Sequence, residues 1–343
     1  MNRIALVTVL VFSALVICTN CDTKEPKGEE TTQGEETTHC PCIERETLAG
    51  EENFVGIENI SFENYPIVDG STSASILNSL IACKLLGLRY TWINASAVLV
   101  ETWIRPNEED IPELHQDFFT KRVKTSQTHG AFMNLIDGEA DIILTHRTIA
   151  PDERDYAESI GVSLIETSIA LDAFVFIVNQ KNPVQSLTVD EIRKIYTKEI
   201  TNWSQVGGNN ASMQVFTRPR NSGSEEVFRM LVMNDLEPGN FPEASISLMS
   251  HVFNEIWSNE NGICYTFSNY KDVMAKMCDR VPVIAINEIC PSEITIKNKT
   301  YPFISEVRVA IRSDLDHNSM AYKLYEWLQS EHAKYTIAEC GFF

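Results

Sequence analysis

From residue 54 onward, short apolar runs take turns with segments whose apolar positions recur every three or four residues. This alternation predicts an α/β chain. Residues 65–70 predict a strand running into Ser71, Thr72 and Ser73, after which Ile76, Leu77, Leu80, Ile81 and Leu85 share one helix face. A second helix is predicted by Phe132, Leu135 and Ile136, preceded by the polar run 124–130 and stopped by Asp137 and Gly138. Residues 140–144 read as a short buried strand ending at His146 and Arg147. The run 173–178 is almost wholly apolar, as expected of a strand covered on both faces, and Asn182 and Pro183 close it. Thr188 then caps a helix striped by Ile192, Ile195 and Tyr196. Residues 213–216, 281–286 and 307–311 read as further strands, and 321–329 as a helix with Leu324, Tyr325 and Leu328 on its apolar face. The chain shows no internal repeat and no heptad pattern.

Three of the predicted helices begin in hydroxyl-rich turns directly after a strand. These are Ser71-Thr72-Ser73, Ser126-Gln127-Thr128, and Ser222-Gly223-Ser224 preceded by Arg218-Pro219-Arg220. A helix start offers unpaired N–H groups and the positive end of the helix dipole, and hydroxyls and guanidinium forks add donors. Each turn alone is equally well an ordinary capped helix, with Ser222 or Ser224 as the cap and Glu225 or Glu226 in the first turn. Three of one kind predict convergence on a small anion outside the carboxyl ends of the strands.

The beginning of the chain changes the picture of where it works. Arg3 and the apolar run 4–17 predict an export signal, too short for the roughly 20 residues of a membrane span. Cys21 directly after it predicts a lipoprotein leader over 1–21 with Cys21 lipidated; lipidation at Cys18, or an ordinary cleaved signal, are the alternatives. Residues 22–53, rich in Glu, Thr and Gly, predict a disordered acidic tether. Within it, His39, Cys40 and Cys42 fall short of a four-ligand zinc set, so no metal is expected. Beyond the leader, Cys40, Cys42, Cys83, Cys264, Cys278, Cys290 and Cys340 are an odd number with no readable connectivity. The net charge of -20 argues against a nucleic-acid partner. Local donors override a distant field screened over roughly 10 Å, so this charge bears on solubility more than on an anion site.

Residues 187–196, 200–203 and 206–208 resemble, in series, the periplasmic phosphate-binding proteins of ABC transporters. Asp69-Gly70-Ser71-Thr72-Ser73, Lys124-Thr125-Ser126-Gln127-Thr128-His129 and Asn221-Ser222-Gly223-Ser224 extend the resemblance, which is nearest to a phosphate-binding-protein-like branch found in lipoproteins and runs from about residue 65 to the C-terminus. It implies a two-lobed periplasmic-binding-protein fold of type II with a hinge of crossing strands: lobe 1 over 54–171 plus 283–343, lobe 2 over 172–282. It puts ligand donors on Ser71, Thr72, Ser73, Ser126, Thr128, Ser222, Gly223 and Ser224, and a clamping arginine on Arg218. Two departures stand out. The family's aspartate, which accepts the proton of hydrogen phosphate, falls nearest to His146 and Arg147, and a second acidic position falls on Arg220. With His146, Arg147 and Arg220 in the ligand set, the expectation is a more cationic site, less tied to a protonated anion. The alternative is that Arg147 and Arg220 pair with acids such as Asp152 or Glu225 and never face the ligand.

The expected function is an extracytoplasmic solute-binding protein, a monomer capturing phosphate or a related oxyanion without a cofactor. The implied partners are an ABC permease and, through the lipid anchor, a periplasmic or cell-surface membrane. A hydrolase is the first rival, with His146 as its base, but the chain lacks a Gly-x-Ser-x-Gly elbow, a His-Glu-x-x-His pair and a Walker loop. A surface interaction protein using the same fold is the second. In that light residues 94–109 read as an insertion, with Trp92 and Trp103 expected in the core, as are Met230, Met233 and Trp203. Asp69 either orients the first loop or initiates a turn.

Overall fold

The computed structural model describes residues 39–40, 54–94, 102–220, 222–241, 249–277 and 280–343. The expected leader, Cys21, Cys42, Asn221 and Cys278 lie outside these residues. In chain order the strands are β1 (Val68–Gly70), β2 (Tyr90–Asn94), β3 (Thr102–Pro106), β4 (Ile142–Thr145), β5 (Leu164–Val178), β6 (Ser186–Leu187), β7 (Gln214–Val215), β8 (Gly262–Phe267), β9 (Ala285–Ile286) and β10 (Ile304–Arg312). The helices are α1 (Ser75–Leu85), α2 (Phe118–Arg122), α3 (Gln127–Ile136), α4 (Pro151–Ser159), α5 (Val189–Tyr196), α6 (Gly223–Val227), α7 (His251–Ser258), α8 (Glu293–Lys297), α9 (Met320–Leu328) and α10 (Glu331–Glu339).

The architecture is α/β and two-lobed, and β5 is its spine. The main sheet runs β1-β4-β10-β5-β8-β7, with β1 parallel to β4, β7 parallel to β8, and the remaining pairs antiparallel. Leu164 to Ala173 pair with β10; from Phe174 to Val178 the same strand pairs with β8 instead. One continuous strand therefore serves both halves of the sheet. The chain returns beside it: Val283 bridges Ile177, and Ile284 N–H donates to the Phe176 carbonyl at 3.0 Å.

Local chemistry explains most elements. Thr188 accepts from the Glu191 N–H at 3.1 Å while the Glu191 carboxylate takes the Thr188 N–H at 2.7 Å, the capping box anticipated for α5. Gly138, at φ 77°, ends α3 in the left-handed conformation that glycine adopts without cost. Phe174, Phe176, Tyr196, Phe228 and Tyr265 pack beneath the third hydroxyl turn, with Phe228 and Tyr265 stacked at 4.4 Å.

Several expectations change. The predicted strand 281–286 shrinks to β9 and the Val283 bridge, because Pro282 has no N–H to give a ladder. Residues 90–106 include the antiparallel pair β2–β3, in which Trp92 is partly buried but Trp103 is exposed rather than core. Met233 is buried and Met230 is 49% exposed, since they lie on different faces of the turn that continues α6. Within the stretch expected to be a free tether, Cys40 is docked: its N–H donates to the Val283 carbonyl at 3.3 Å and its sulfur is bonded to Cys290. That bond removes Cys40 from any metal set. Cys83, Cys264 and Cys340 are buried free thiols.

Candidate functional site

The first turn is pressed against its neighbouring strand. Gly70 sits so close to β4 that a Cβ there would meet the Leu144 carbonyl oxygen at 2.7 Å, and Ser71 N–H donates to that oxygen at 2.9 Å. Ser71 makes no capping bond with its side chain; its hydroxyl oxygen lines the cavity and lies 3.1 Å from that of Ser73.

Asp69 fastens the second turn to the first. Buried at the end of β1, its carboxylate accepts from the N–H of Gly70 at 2.7 Å, the N–H of Ser126 at 2.8 Å and the Asn134 amide at 2.6 Å. The orienting role expected of Asp69 thus extends to both loops. Gln127 follows Ser126 with φ 64°, a left-handed conformation that costs a non-glycine residue about 1 kcal/mol. Right-handed Ser126 followed by left-handed Gln127 turns successive N–H groups to one side, the geometry of an anion-holding backbone nest.

The third turn is anchored from below. Arg218 N–H donates to Tyr265 Oη at 3.1 Å and to Glu225 Oε2 at 3.3 Å, and Tyr265 hydroxyl donates to Glu225. Burial raises the Glu225 carboxyl above its ordinary range. Ser222 is the cap of α6, its hydroxyl accepting from Glu225 N–H at 3.3 Å. Ser224 is buried beside it.

These turns enclose one cavity of about 450 Å³, lined by Ser71, Thr72, Ser126, Thr128, Arg218, Arg220, Ser222, Gly223 and Ser224 among others. The starts of α3 and α6 meet there, for a Cβ on Gly223 would collide with the Thr128 hydroxyl. Gln127, His129, Gly130, Pro219, Met249 and Phe267 line the same cavity and were not among the sequence candidates. His129 and Gly130 continue the second hydroxyl run, a signal that was legible; Met249 and Phe267 arrive only through the fold.

Three candidates stand elsewhere. Ser73 lies behind Ser71, bonded to it and to His146. Arg147 faces away: its guanidinium forks onto Glu153 with bonds of 2.7 and 2.6 Å, under the Phe132 ring, in a fully buried pair. The acid is Glu153 rather than Asp152, because Glu153 sits at the third position of α4 and also accepts the Ala150 N–H at 2.8 Å and His129 Nδ1 at 2.9 Å. Arg220 remains exposed at the cavity, since Glu225 is taken up by Tyr265 and Arg229. His146 is buried between Phe267 and Phe342 at ring distances of 4.6 and 5.5 Å. Burial pushes its imidazole down to about 3, so it is neutral and cannot add positive charge. The expected cationic enlargement of the site by His146 and Arg147 is therefore corrected. Neither residue lines this cavity; both border a separate one of about 370 Å³ with Thr148, Ser305 and Arg308.

An α/β sheet shared by two lobes, with helix starts facing one cavity, is the design of the periplasmic binding proteins. The chain belongs to that family: the model of the PBP superfamily domain matches residues 97–332, and the first turn lies ahead of the matched span. Protein SphX of Synechococcus elongatus is 29% identical over 189 residues, covering 52% of this chain and 55% of that protein, so this match spans about half of its length. The phosphate-binding protein PstS of Borreliella burgdorferi is 25% identical, covering 57% of this chain and 71% of that protein. Among solved structures, an ABC-type phosphate transport receptor from Vibrio cholerae superposes with a TM-score of 0.55 at 24% identity, covering 80% of this chain and 98% of that one. A putative phosphate ABC transporter substrate-binding protein with bound phosphate, from Clostridium perfringens, gives 0.54 at 21%, covering 80% and 97%. These likenesses share the fold.

Proposed function

We propose that this chain is an extracytoplasmic receptor that captures a small oxyanion, phosphate foremost, between its lobes. The observation that carries this reading is the convergence of Ser71, Thr128, Ser224 and Arg218, from three distant segments, on one cavity. Helix-start amides, hydroxyls and a guanidinium form a donor-rich cage, and donors of this kind hold a desolvated anion strongly. Its volume falls within the range of small-molecule sites, about 300–1,000 Å³. The names of the relatives, phosphate-binding proteins and phosphate transport receptors, support the choice of anion.

In this reading lobe 1 (54–171 with 283–343) carries the first two turns and lobe 2 (172–282) the third. The strand β5 and the return at 282–303 form the hinge on which the lobes close. An ABC permease receives the loaded receptor, and lipidation at Cys21 holds a monomer at the membrane surface. Binding without catalysis suits a cavity in which, among the described residues, His129 is bonded to Glu153 and to none of the hydroxyls that line the cavity with it. Calorimetry of the purified protein against inorganic phosphate, sulfate and small carboxylates tests the reading. Saturable heat with phosphate is expected; no heat with any of these anions overturns it.

A further inference from the structure

A polar chain leads from the cavity wall into the core. Ser71 Oγ lies 3.1 Å from Ser73 Oγ, which lies 2.9 Å from Nδ1 of His146. The other ring nitrogen, Nε2, makes no hydrogen bond and faces Asp172 Oδ2 at 3.8 Å. Asp172 Oδ1 accepts from the Ser268 hydroxyl at 2.6 Å and from the N–H groups of Ala173 and Asn269 at 2.8 and 3.1 Å, the pattern of a carboxylate. His146, buried among aromatic rings, is neutral and so carries one N–H.

The position of that single proton decides what Ser71 offers a ligand. A nitrogen lone pair aimed at the Asp172 carboxylate is repelled, so the proton resides on Nε2 and Nδ1 is an acceptor. Ser73 has one hydroxyl proton and gives it to Nδ1. Its oxygen then takes the proton of Ser71. The Ser71 hydroxyl is thereby spent inward, and only its lone pairs face the cavity. With the proton on Nδ1 instead, every bond would reverse and Ser71 would donate to the ligand.

We infer that His146 is a positioning residue which, through Ser73, fixes Ser71 as a hydrogen-bond acceptor and makes the site select an oxyanion that carries a proton. The inference rests on the receptor reading above. A P–OH of hydrogen phosphate satisfies the Ser71 oxygen, whereas sulfate brings a charged oxygen against it with no proton between them. A buried mismatch of this kind lowers affinity about 10- to 100-fold. A serine, one relay away from His146, thus stands as the proton acceptor in place of the aspartate that the family resemblance implies.

The test combines calorimetry near neutral pH with nitrogen NMR of the imidazole in the unaltered protein. Phosphate is expected to bind at least about 10-fold more tightly than sulfate, with the proton on Nε2. Ser73→Ala frees the Ser71 hydroxyl to turn outward and should collapse the phosphate-to-sulfate ratio toward one. Ser71→Ala should weaken phosphate about 10-fold and strengthen sulfate, since the oxygen that opposes its charge is gone. Equal binding of phosphate and sulfate by the unaltered protein, a ratio untouched by Ser73→Ala, or a proton on Nδ1 overturns the inference while the receptor reading stands. No binding of either anion overturns both.

Discussion

Two arginines of the same chain illustrate how identical side chains divide their work. Arg218 lines the cavity and is fastened through its own N–H to Tyr265 and Glu225; Arg147 is locked onto Glu153 in the core. Arg218→Ala should weaken phosphate binding at least about 10-fold by calorimetry, since charge-assisted bonds contribute about 1.5–3 kcal/mol each; an unchanged affinity would remove it from the clamp. Arg147→Ala leaves a buried carboxylate short of its partner and should cost about 3–5 kcal/mol in denaturant unfolding. The affinity of the folded fraction should stay within about twofold, because Arg147 does not reach the cavity. His146 carries a pH signature. Its folded value of about 3 lies below the ordinary 6.5, so below about pH 6.5 the unfolded chain takes up a proton that the folded chain refuses. Stability therefore falls as pH drops from about 6.5 toward about 3, by up to about 1.4 kcal/mol per unit, and is fully present above 6.5. Glu225 acts in the opposite sense, since its raised value favours the folded state as the carboxyl protonates. His146→Gln isolates the histidine component: the difference in unfolding free energy between the two proteins should slope with pH, and a flat difference contradicts the buried neutral ring.

At the scale of elements, the helix starts were readable and the long strand was not. Hydroxyls at Ser71, Thr128 and Ser224, and the Thr188 cap, declare themselves within a few residues, because capping and helix-start chemistry are local. Only the second part of β5 was foreseen, from 173 to 178, where both faces are covered. Its first part mixes Glu166, Thr167 and Ser168 with apolar residues against the single partner β10 and carries a weaker pattern. Strand β8 carries little strand pattern in the sequence although every residue is buried, since Gly262, Cys264 and Thr266 dilute its apolar signal. Arg147 could not be placed from sequence, for its direction depends on how α4 presents Glu153. The meeting of the α3 and α6 starts is likewise a product of tertiary folding, and Gly223 leaves room for it. Gly223→Val should weaken phosphate binding by the folded protein at least about 10-fold, because even its Cβ would collide with the Thr128 hydroxyl. Unimpaired binding would mean that the two helix starts need not approach this closely.

Across the whole molecule, the proposed capture of phosphate would link binding to stability. Phosphate at about 100 times its dissociation constant should stabilise the folded state by about 2.7 kcal/mol and raise the melting temperature by several degrees. Sulfate at the same concentration should do markedly less, and an unmoved transition with phosphate would contradict capture. The Cys40–Cys290 bond closes a loop of 250 residues and should contribute about 2–4 kcal/mol, read as the loss of unfolding free energy on reduction. Asp69 has a kinetic consequence at this scale. One carboxylate knits Gly70, Ser126 and Asn134 into a single rigid piece, so an arriving solute meets half of its cage already built. In the receptor reading proposed above, capture is a two-stroke event: the first landing needs no rearrangement, and substitutions that slow the second stroke should lengthen or shorten residence while leaving the rate of first encounter untouched.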